Sequence, residues 1–280
     1  MKQLVLIPIG GLANRFYVIS SAITFSHDYN IKLKIIWFKD KGLGADFHSL
    51  FELSEDVAKS EVEIIDAKWY HYIYDRPRKK NFWLSWLFQR ILFDKLSYEK
   101  DINTFTINEF KRFFASNKSV YLVHCYEFYP IQRYNTLVLK DDIKRKVDLV
   151  RPLFNNVIGI HIRRSDNIHS IQNSPLSLFV DIIKNEIELD SSIKFFVASD
   201  SESEKQKLKN LYGDRILTYG KIIKRNSEEG IKEALVELYL LSYTKKIYGS
   251  ACSTFSLLAS KLSGIEIRIL SIQRNENKTL

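Results

Sequence analysis

From residue 157 onward, short apolar runs alternate with longer helical patterns, in an order that leaves few folds open. VIGIHI precedes LSLFVDIIKNEI, IKFFVAS precedes SESEKQKLKNLY, RILTY precedes EEGIKEALVELYLLS, KKIYGS precedes CSTFSLLASKLS, and IEIRIL closes the series. An unbroken apolar run of five or six residues fits a strand buried on both faces, and the segments between have the length and periodicity of helices. Five strands separated by helices predict a doubly wound parallel sheet. The chain opens in the same way, with a strand at 4–9, a helix at 14–29 and a strand at 33–38, which is one βαβ unit. After the glycine-containing loop KGLGADF the pattern turns irregular and aromatic to about residue 135. A helix at 141–150, ended by Pro152, predicts a boundary between two domains, 1–150 and 151–280, and 280 residues suffice for both. Asn226 with Glu229 is expected to cap the helix that runs to Ser242.

Composition limits the partners. Forty-two Lys and Arg against 33 Asp and Glu give +9, which favours an anionic partner: nucleic acid, a membrane surface or a phosphorylated small molecule. With 45% hydrophobic residues and only five prolines, global disorder is excluded. Cys125 and Cys252, both expected in apolar surroundings, lack the spacing of a zinc site or a disulfide scaffold and suit a reducing cytoplasm. MKQLVLIPIGG reads as a strand and not as an export signal. The longest apolar run, FWLSWLFQRILF, is broken by Gln89 and Arg90, so a membrane contact would be peripheral, at the inner face.

Ligands of open parallel sheets bind beyond the carboxyl ends of the strands, and the residues there are informative. Gly10, Gly11 and Asn14 follow the first strand and open a helix whose N–H groups can face a phosphate or a sugar hydroxyl. The motif is neither a Walker loop nor GxGxxG. It is equally a tight turn, with Asn14 as a cap and Arg15 as a surface charge. In GIHIRRSDN, His161 and Arg163 alternate onto one face, while Arg164 points the other way and can brace the loop, for example against Asp166. The planar guanidinium of Arg163 suits a diphosphate because two N–H groups meet two oxygens at once. The competing reading is an Arg–Asp surface pair. Asp200, ending FFVASD, can accept from a ribose or a guanine, or can cap the next helix. GSACSTFS brings Ser250, Ser253 and Thr254 to a third such turn. Three turns supplying an arginine, a carboxylate and a hydroxyl cluster favour a nucleotide-diphosphate site.

GGLANR, FHSLFEL, HIRRSD, VASD and YGSACSTFS occur in the order and approximate spacing found in GDP-fucose-dependent fucosyltransferases. The chain resembles most the bacterial α1,6 and α1,2 enzymes and the related protein O-fucosyltransferases. That resemblance implies an α/β GT-B glycosyltransferase fold of two Rossmann-like domains facing across a cleft, the acceptor on the first domain and GDP-fucose on the second. It also implies transfer with inversion and without a metal or other cofactor. Arg163 would then hold the β-phosphate, with His161 near the nucleoside and Arg164 supporting the loop. Asp200 would read guanine, and Ser253, Thr254 and Phe255 would meet the phosphates and ribose. Asn14, beside Gly10 and Gly11, would reach the pyrophosphate or fucose. Asp46, His48, Glu52 and Asp166 are candidate bases without motif support. Leu257 and Leu258 stand where the α1,2 enzymes usually carry a tryptophan pair, which weakens an α1,2 linkage.

The middle segment RPRKKNFWLSWLFQR, residues 76–90, places four cations before two tryptophans. A helix with Trp83, Trp86, Leu87 and Arg90 on neighbouring faces fits an anionic bilayer carrying a lipid-linked acceptor. A core helix after a solvated basic loop is the simpler reading. Nucleic-acid binding would explain the charge but has no motif here and is not expected. A glycosyltransferase using another GDP-sugar, and a nucleotide- or glycan-binding protein without turnover, keep the same sheet. The overall expectation is fucosyl transfer from GDP-fucose to a glycan in surface polysaccharide or lipopolysaccharide synthesis.

Overall fold

The computed structural model describes residues 2–73, 75, 83–98, 106–165, 167–220 and 225–272. The expected opening is present as strand β1 (Gln3–Pro8), helix α1 (Leu12–Tyr29) and strand β2 (Lys32–Trp37), with Leu4 opposite Leu33 and Leu6 opposite Ile35 in parallel register. Helix α1 is buried from Leu12 to Ser26 on every residue except Asn14. Its inward hydroxyls are satisfied locally: Ser21 Oγ donates to Tyr129 O at 2.7 Å and Ser26 Oγ to Ile31 O at 2.5 Å. The helix stops at Asn30, which takes the left-handed conformation (φ 49°, ψ 54°) and bonds back to the carbonyls of Ser26 and His27.

The segment read as irregular carries much of the first sheet. It contains β3 (Phe51–Leu53), α2 (Glu55–Ala58), β4 (Val62–Asp66), α3 (Trp83–Leu92), β5 (Lys95–Tyr98), α4 (Ile107–Ser116), β6 (Ser119–His124) and β7 (Leu137–Leu139). Strands β4, β5 and β6 complete a parallel sheet of order β4-β2-β1-β6-β5, while β3 and β7 form a separate antiparallel ribbon. Reading SVYLVH as irregular was an error, since five of its six residues are buried as in any central parallel strand. In KLSY only Ser97 is buried, so β5 has little apolar signal to read.

The second half follows the expected alternation: α5 (Asp141–Val150), β8 (Val157–Ile162), α6 (Ile168–Asn173), α7 (Leu176–Leu189), β9 (Lys194–Ser199), α8 (Glu202–Tyr212), β10 (Ile216–Leu217), α9 (Glu228–Ser242), β11 (Lys246–Ser250), α10 (Thr254–Ser263) and β12 (Glu266–Leu270). Its sheet is parallel throughout, in order β10-β9-β8-β11-β12. All six residues of β8 are buried, and Ile158, Ile160 and Ile162 pack with Phe179 and Ile183 of α7 and with Phe195 and Val197 of β9. In the first sheet Val5, Ile7, Ile36, Phe38, Tyr121 and Val123 form the corresponding core.

The chain forms two compact units, Met1–Lys140 with Arg225–Ile231, and Asp141–Lys224 with Lys232–Leu280. The segment Arg225–Ile231 joins the first unit where Gly44 N donates to Arg225 O at 3.0 Å. A Cβ on Gly44 would lie 2.2 Å from the backbone of Asn226, so only glycine allows this approach. Asn226 does not cap α9 as expected. Ser227 does, its Oγ accepting from Gly230 N at 3.2 Å, because the cap belongs to the residue just before the first helical turn.

Candidate functional site

Each sheet reverses direction of winding at its central strand, between β1 and β6 in the first and between β8 and β11 in the second. At such a switch point the outgoing loops part and leave a crevice beyond the carboxyl ends of the strands. In the second unit the loops that part there are HIRRSDN and SACSTF.

Arg163 leaves β8 with its backbone N donating to Ser250 Oγ at 3.1 Å, and the Ser250 hydroxyl donates in turn to His161 O at 3.3 Å. One serine thus ties the ends of both central strands together. The Arg163 guanidinium lies 3.2 Å from Asp200 Oδ2 and lines an open pocket of about 360 Å³ with Asn167, Ile168 and His169. Arg164 turns away from it, donating to Arg163 O at 2.9 Å and to Ser174 O at 3.0 Å, with Nε 3.7 Å from Glu204 Oε2. The two arginines therefore diverge as the strand alternation predicts. Arg164 braces the loop through Ser174 and Glu204; Asp166 lies outside the described residues.

Asp200 is not the helix cap that the sequence allowed. Ser201 holds that position without a side-chain cap bond. The Asp200 carboxylate instead accepts Arg164 N on Oδ1 at 2.7 Å and Ser165 Oγ on Oδ2 at 2.7 Å, besides pairing with Arg163. A carboxylate accepting one backbone N–H, one hydroxyl and one guanidinium fixes three consecutive residues of the β8 loop.

Helix α10 begins across this crevice. Ser253 precedes it and makes no capping bond, so the hydroxyl does not compete for the N–H groups that open the helix, and Thr254 and Phe255 follow half-buried. Phe255 stacks on His161 with ring centroids 5.0 Å apart and planes 23° from parallel. His161 is buried and its Nδ1 has no hydrogen-bond partner. Burial pushes the imidazole down to about 4, with Asp200 opposing and Arg163 reinforcing the shift. It is thus neutral near pH 7.

Two further supports leave only faint marks in the sequence. Ser174 Oγ donates to Leu270 O at 2.6 Å and accepts Ala251 N at 2.8 Å, joining the ends of β12 and β11. Asn167 caps α6 by accepting Ser170 N at 3.0 Å and donates from Nδ2 to Cys252 O at 2.8 Å. The only readable signals were a serine before Pro175 and an asparagine before a helical stretch. Cys252 is exposed, contrary to the apolar setting expected, because it stands in the left-handed region (φ 55°) on the turn into α10.

In the first unit, Gly10 takes φ 95° and lies so close to Asn14 that a Cβ would stand 2.8 Å from the Asn14 Cβ. Gly11 precedes α1 without a side-chain cap. Arg15 is not a surface charge. It is fully buried, donating to Gly10 O at 3.2 Å, Phe38 O at 2.6 Å and Asp40 Oδ2 at 2.7 Å, with its guanidinium over the Trp37 ring at 4.6 Å. The arginine fastens the glycine turn to the end of β2. Among the base candidates, Asp46 pairs with Lys39 at 2.7 Å and Glu52 with Lys140 at 2.5 Å. His48 Nδ1 lies 2.6 Å from Asp66 Oδ2, a residue the sequence reading passed over. Among the described residues no three His, Cys, Asp or Glu side chains gather as metal ligands would.

No protein-family model matches the chain, and no curated protein matches it. Its fold does match solved structures. The fucosyltransferase NodZ from Bradyrhizobium superposes with a TM-score of 0.62 at 16% identity, over 94% of this chain and 92% of that one. A mutant of Arabidopsis thaliana FUT1 in complex with GDP gives 0.62 at 17% identity, over 98% and 71%. POFUT1 gives 0.59 at 13% identity, over 96% and 97%. The α/β class with parallel sheets therefore stands, and the chain shares its fold with these fucosyltransferase structures.

Proposed function

We propose that the protein is a fucosyltransferase that moves L-fucose from GDP-fucose to a hydroxyl of a glycan acceptor, with inversion and without a metal cofactor, in surface polysaccharide or lipopolysaccharide synthesis. The observation that carries this reading is the convergence of Arg163, Asp200 and the start of α10 at the switch point of the second sheet. It occurs within a fold that superposes on a NodZ α1,6-fucosyltransferase soaked with GDP-fucose.

As the bond from fucose C1 to the phosphate oxygen breaks, negative charge grows on the GDP. Arg163 and the opening N–H groups of α10 would meet it, a preformed electrostatic environment that needs no reorganisation at the moment of reaction. Asp200 and Ser250 act as positioning residues, since they fix the guanidinium and the backbone of Arg163. The neutral His161 face and Phe255 suit the nucleoside side of the donor. Gly10, Gly11 and Asn14 present the remaining polar turn. Of the acceptor-side candidates, His48 fits a general base best: a proton on Nδ1 shared with Asp66 leaves Nε2 to accept the hydroxyl proton.

The test is calorimetric titration with GDP-fucose, GDP-mannose and UDP-galactose in EDTA, on wild type and Arg163→Ala. GDP-fucose should bind and UDP-galactose should not. Losing charge-assisted hydrogen bonds from Arg163 should weaken binding about ten- to a hundredfold. Equal binding of GDP-mannose would move the reading to another GDP-sugar, and no binding by either GDP-sugar would overturn it.

A further inference from the structure

Helix α3 is inside out. A helix on the surface of a globular protein turns its apolar stripe inward and its polar face to water. In α3 the fully buried residues are Ser85 and Gln89, one turn apart, and Gln89 Oε1 accepts from Tyr98 OH at 2.9 Å. The apolar residues face out: Trp83 (76% exposed), Ile91 (69%), Leu92 (53%) and Trp86 (52%), with Leu84, Leu87 and Phe88 about half as exposed as Trp83. The core-helix reading of this segment is therefore wrong. The neighbouring 3-10 turn Trp69–Ile73 extends the surface with Trp69 at 80% exposure and Tyr70 and Tyr72 at 42% each. Scattered apolar residues need no explanation, but a contiguous field of this kind marks an interaction surface.

The chemistry of the field selects its partner. Tryptophan and tyrosine, with an apolar body and one polar edge, are the residues enriched at the boundary between water and acyl chains. Cations accompany them: Arg90 lies over the Trp86 ring at 4.4 Å, Lys95 follows α3 directly, and in the sequence Arg76, Arg78, Lys79 and Lys80 precede it. A protein partner would need a matching apolar, acidic surface, whereas an anionic bilayer offers both at once. No helix among the described residues is long and apolar enough to cross a membrane. A helix of ten residues with aromatic residues outward and cations beside them instead suits lying in the headgroup region.

We infer that α3 and the turn Trp69–Ile73 form a docking face for an anionic phospholipid bilayer. The aromatic and aliphatic side chains enter the headgroup boundary, and the exposed Arg90 and Lys95 meet the lipid phosphates. This inference does not depend on the identity of the sugar donor.

The full chain is tested by co-sedimentation with vesicles of phosphatidylcholine alone and of phosphatidylcholine with about a third phosphatidylglycerol, at two salt concentrations. The wild type should bind the anionic vesicles at least tenfold more tightly than the neutral ones, and less at high salt. Trp83→Ser with Trp86→Ser and Ile91→Ser should abolish binding without lowering the melting temperature, since these side chains are already in water. Arg90→Gln with Lys95→Gln should weaken it, by about fivefold for each cation. Failure of the wild type to bind anionic vesicles would overturn the inference. So would a wild-type dimer in solution that the apolar triple variant turns into monomer, because the face would then belong to a second copy of the chain.

Discussion

Three arginines in this chain have the same chemistry and three different fates. Arg15 is fully buried with its donors on two carbonyls and Asp40, so it works as a strut. Arg164 spends its donors on Arg163 O and Ser174 O and holds a loop. Arg163 shares a carboxylate but still lines a pocket, and is the one fitted to an outside anion. Their neighbours decide the difference, so a motif such as RRSD cannot tell them apart, though the alternation of strand faces did separate Arg163 from Arg164. His161 yields a prediction at the same scale. Its imidazole titrates near 4 in the folded chain and near 6.5 in the unfolded one, so on acidification only the unfolded chain gains a proton across that window. Stability should fall as pH drops from 6.5 to 4, by about 3 kcal/mol from this one group. Urea unfolding of wild type and His161→Gln at pH 7, 5.5 and 4 measures the difference. The wild type should lose more than the variant, and parallel losses would disprove the assignment.

At the scale of elements, what could be read depended on burial. In the second half β8, β9 and β11 are buried at all or all but one of their residues, and an unbroken apolar run announces such a strand directly. The first sheet was half read. β1 and β2 carry that signal and β6 carries it too, but aromatic residues on either side of β6 hid the interruption in pattern. β4, with only Ile64 buried, and β5, with only Ser97, could not be read at all. Helix α3 was misread for a related reason: its apolar periodicity is real, and periodicity does not say which face turns inward. Approach of one backbone to another is equally invisible in a sequence, and Gly44 is the case in point. Gly44→Ala would drive a methyl group into the Asn226 backbone at 2.2 Å, where no side chain can swing aside. Overpacking of this kind should destabilise the first unit by about 1–3 kcal/mol. The denaturation midpoint measures it, and an unchanged midpoint would show that the two segments separate freely.

At the scale of the whole molecule, two five-stranded parallel sheets share the winding of their first three strands and a switch point, differ in the order of their last two, and present different chemistry at equivalent points. The first offers glycines and a buried strut, the second an arginine, a carboxylate and the start of a helix. The sequence located all of these groups, because residues just past apolar runs are easy to find. The bonds of Ser174, Ser250 and Asp200 that make one site of them depend on which strands become neighbours, and the local pattern does not encode that. If the donor site lies where we propose, GDP at a hundred times its Kd should stabilise the second unit by about 2.7 kcal/mol. Far-UV circular dichroism in denaturant should show its transition moving upward, and at the same GDP concentration Arg163→Ala should show a smaller shift, of about 0.4–1.4 kcal/mol. An unmoved transition in the wild type would place GDP elsewhere.

The chain has four tryptophans, Trp37, Trp69, Trp83 and Trp86, and all lie in the first unit. Only Trp37 is buried, while the other three stand in water. The emission of the native protein should therefore already be shifted toward the red. Unfolding would change the surroundings of one indole in four, and the unit carrying the donor site would be optically silent at wavelengths that excite tryptophan alone. A stability curve drawn from that emission would describe half of this molecule.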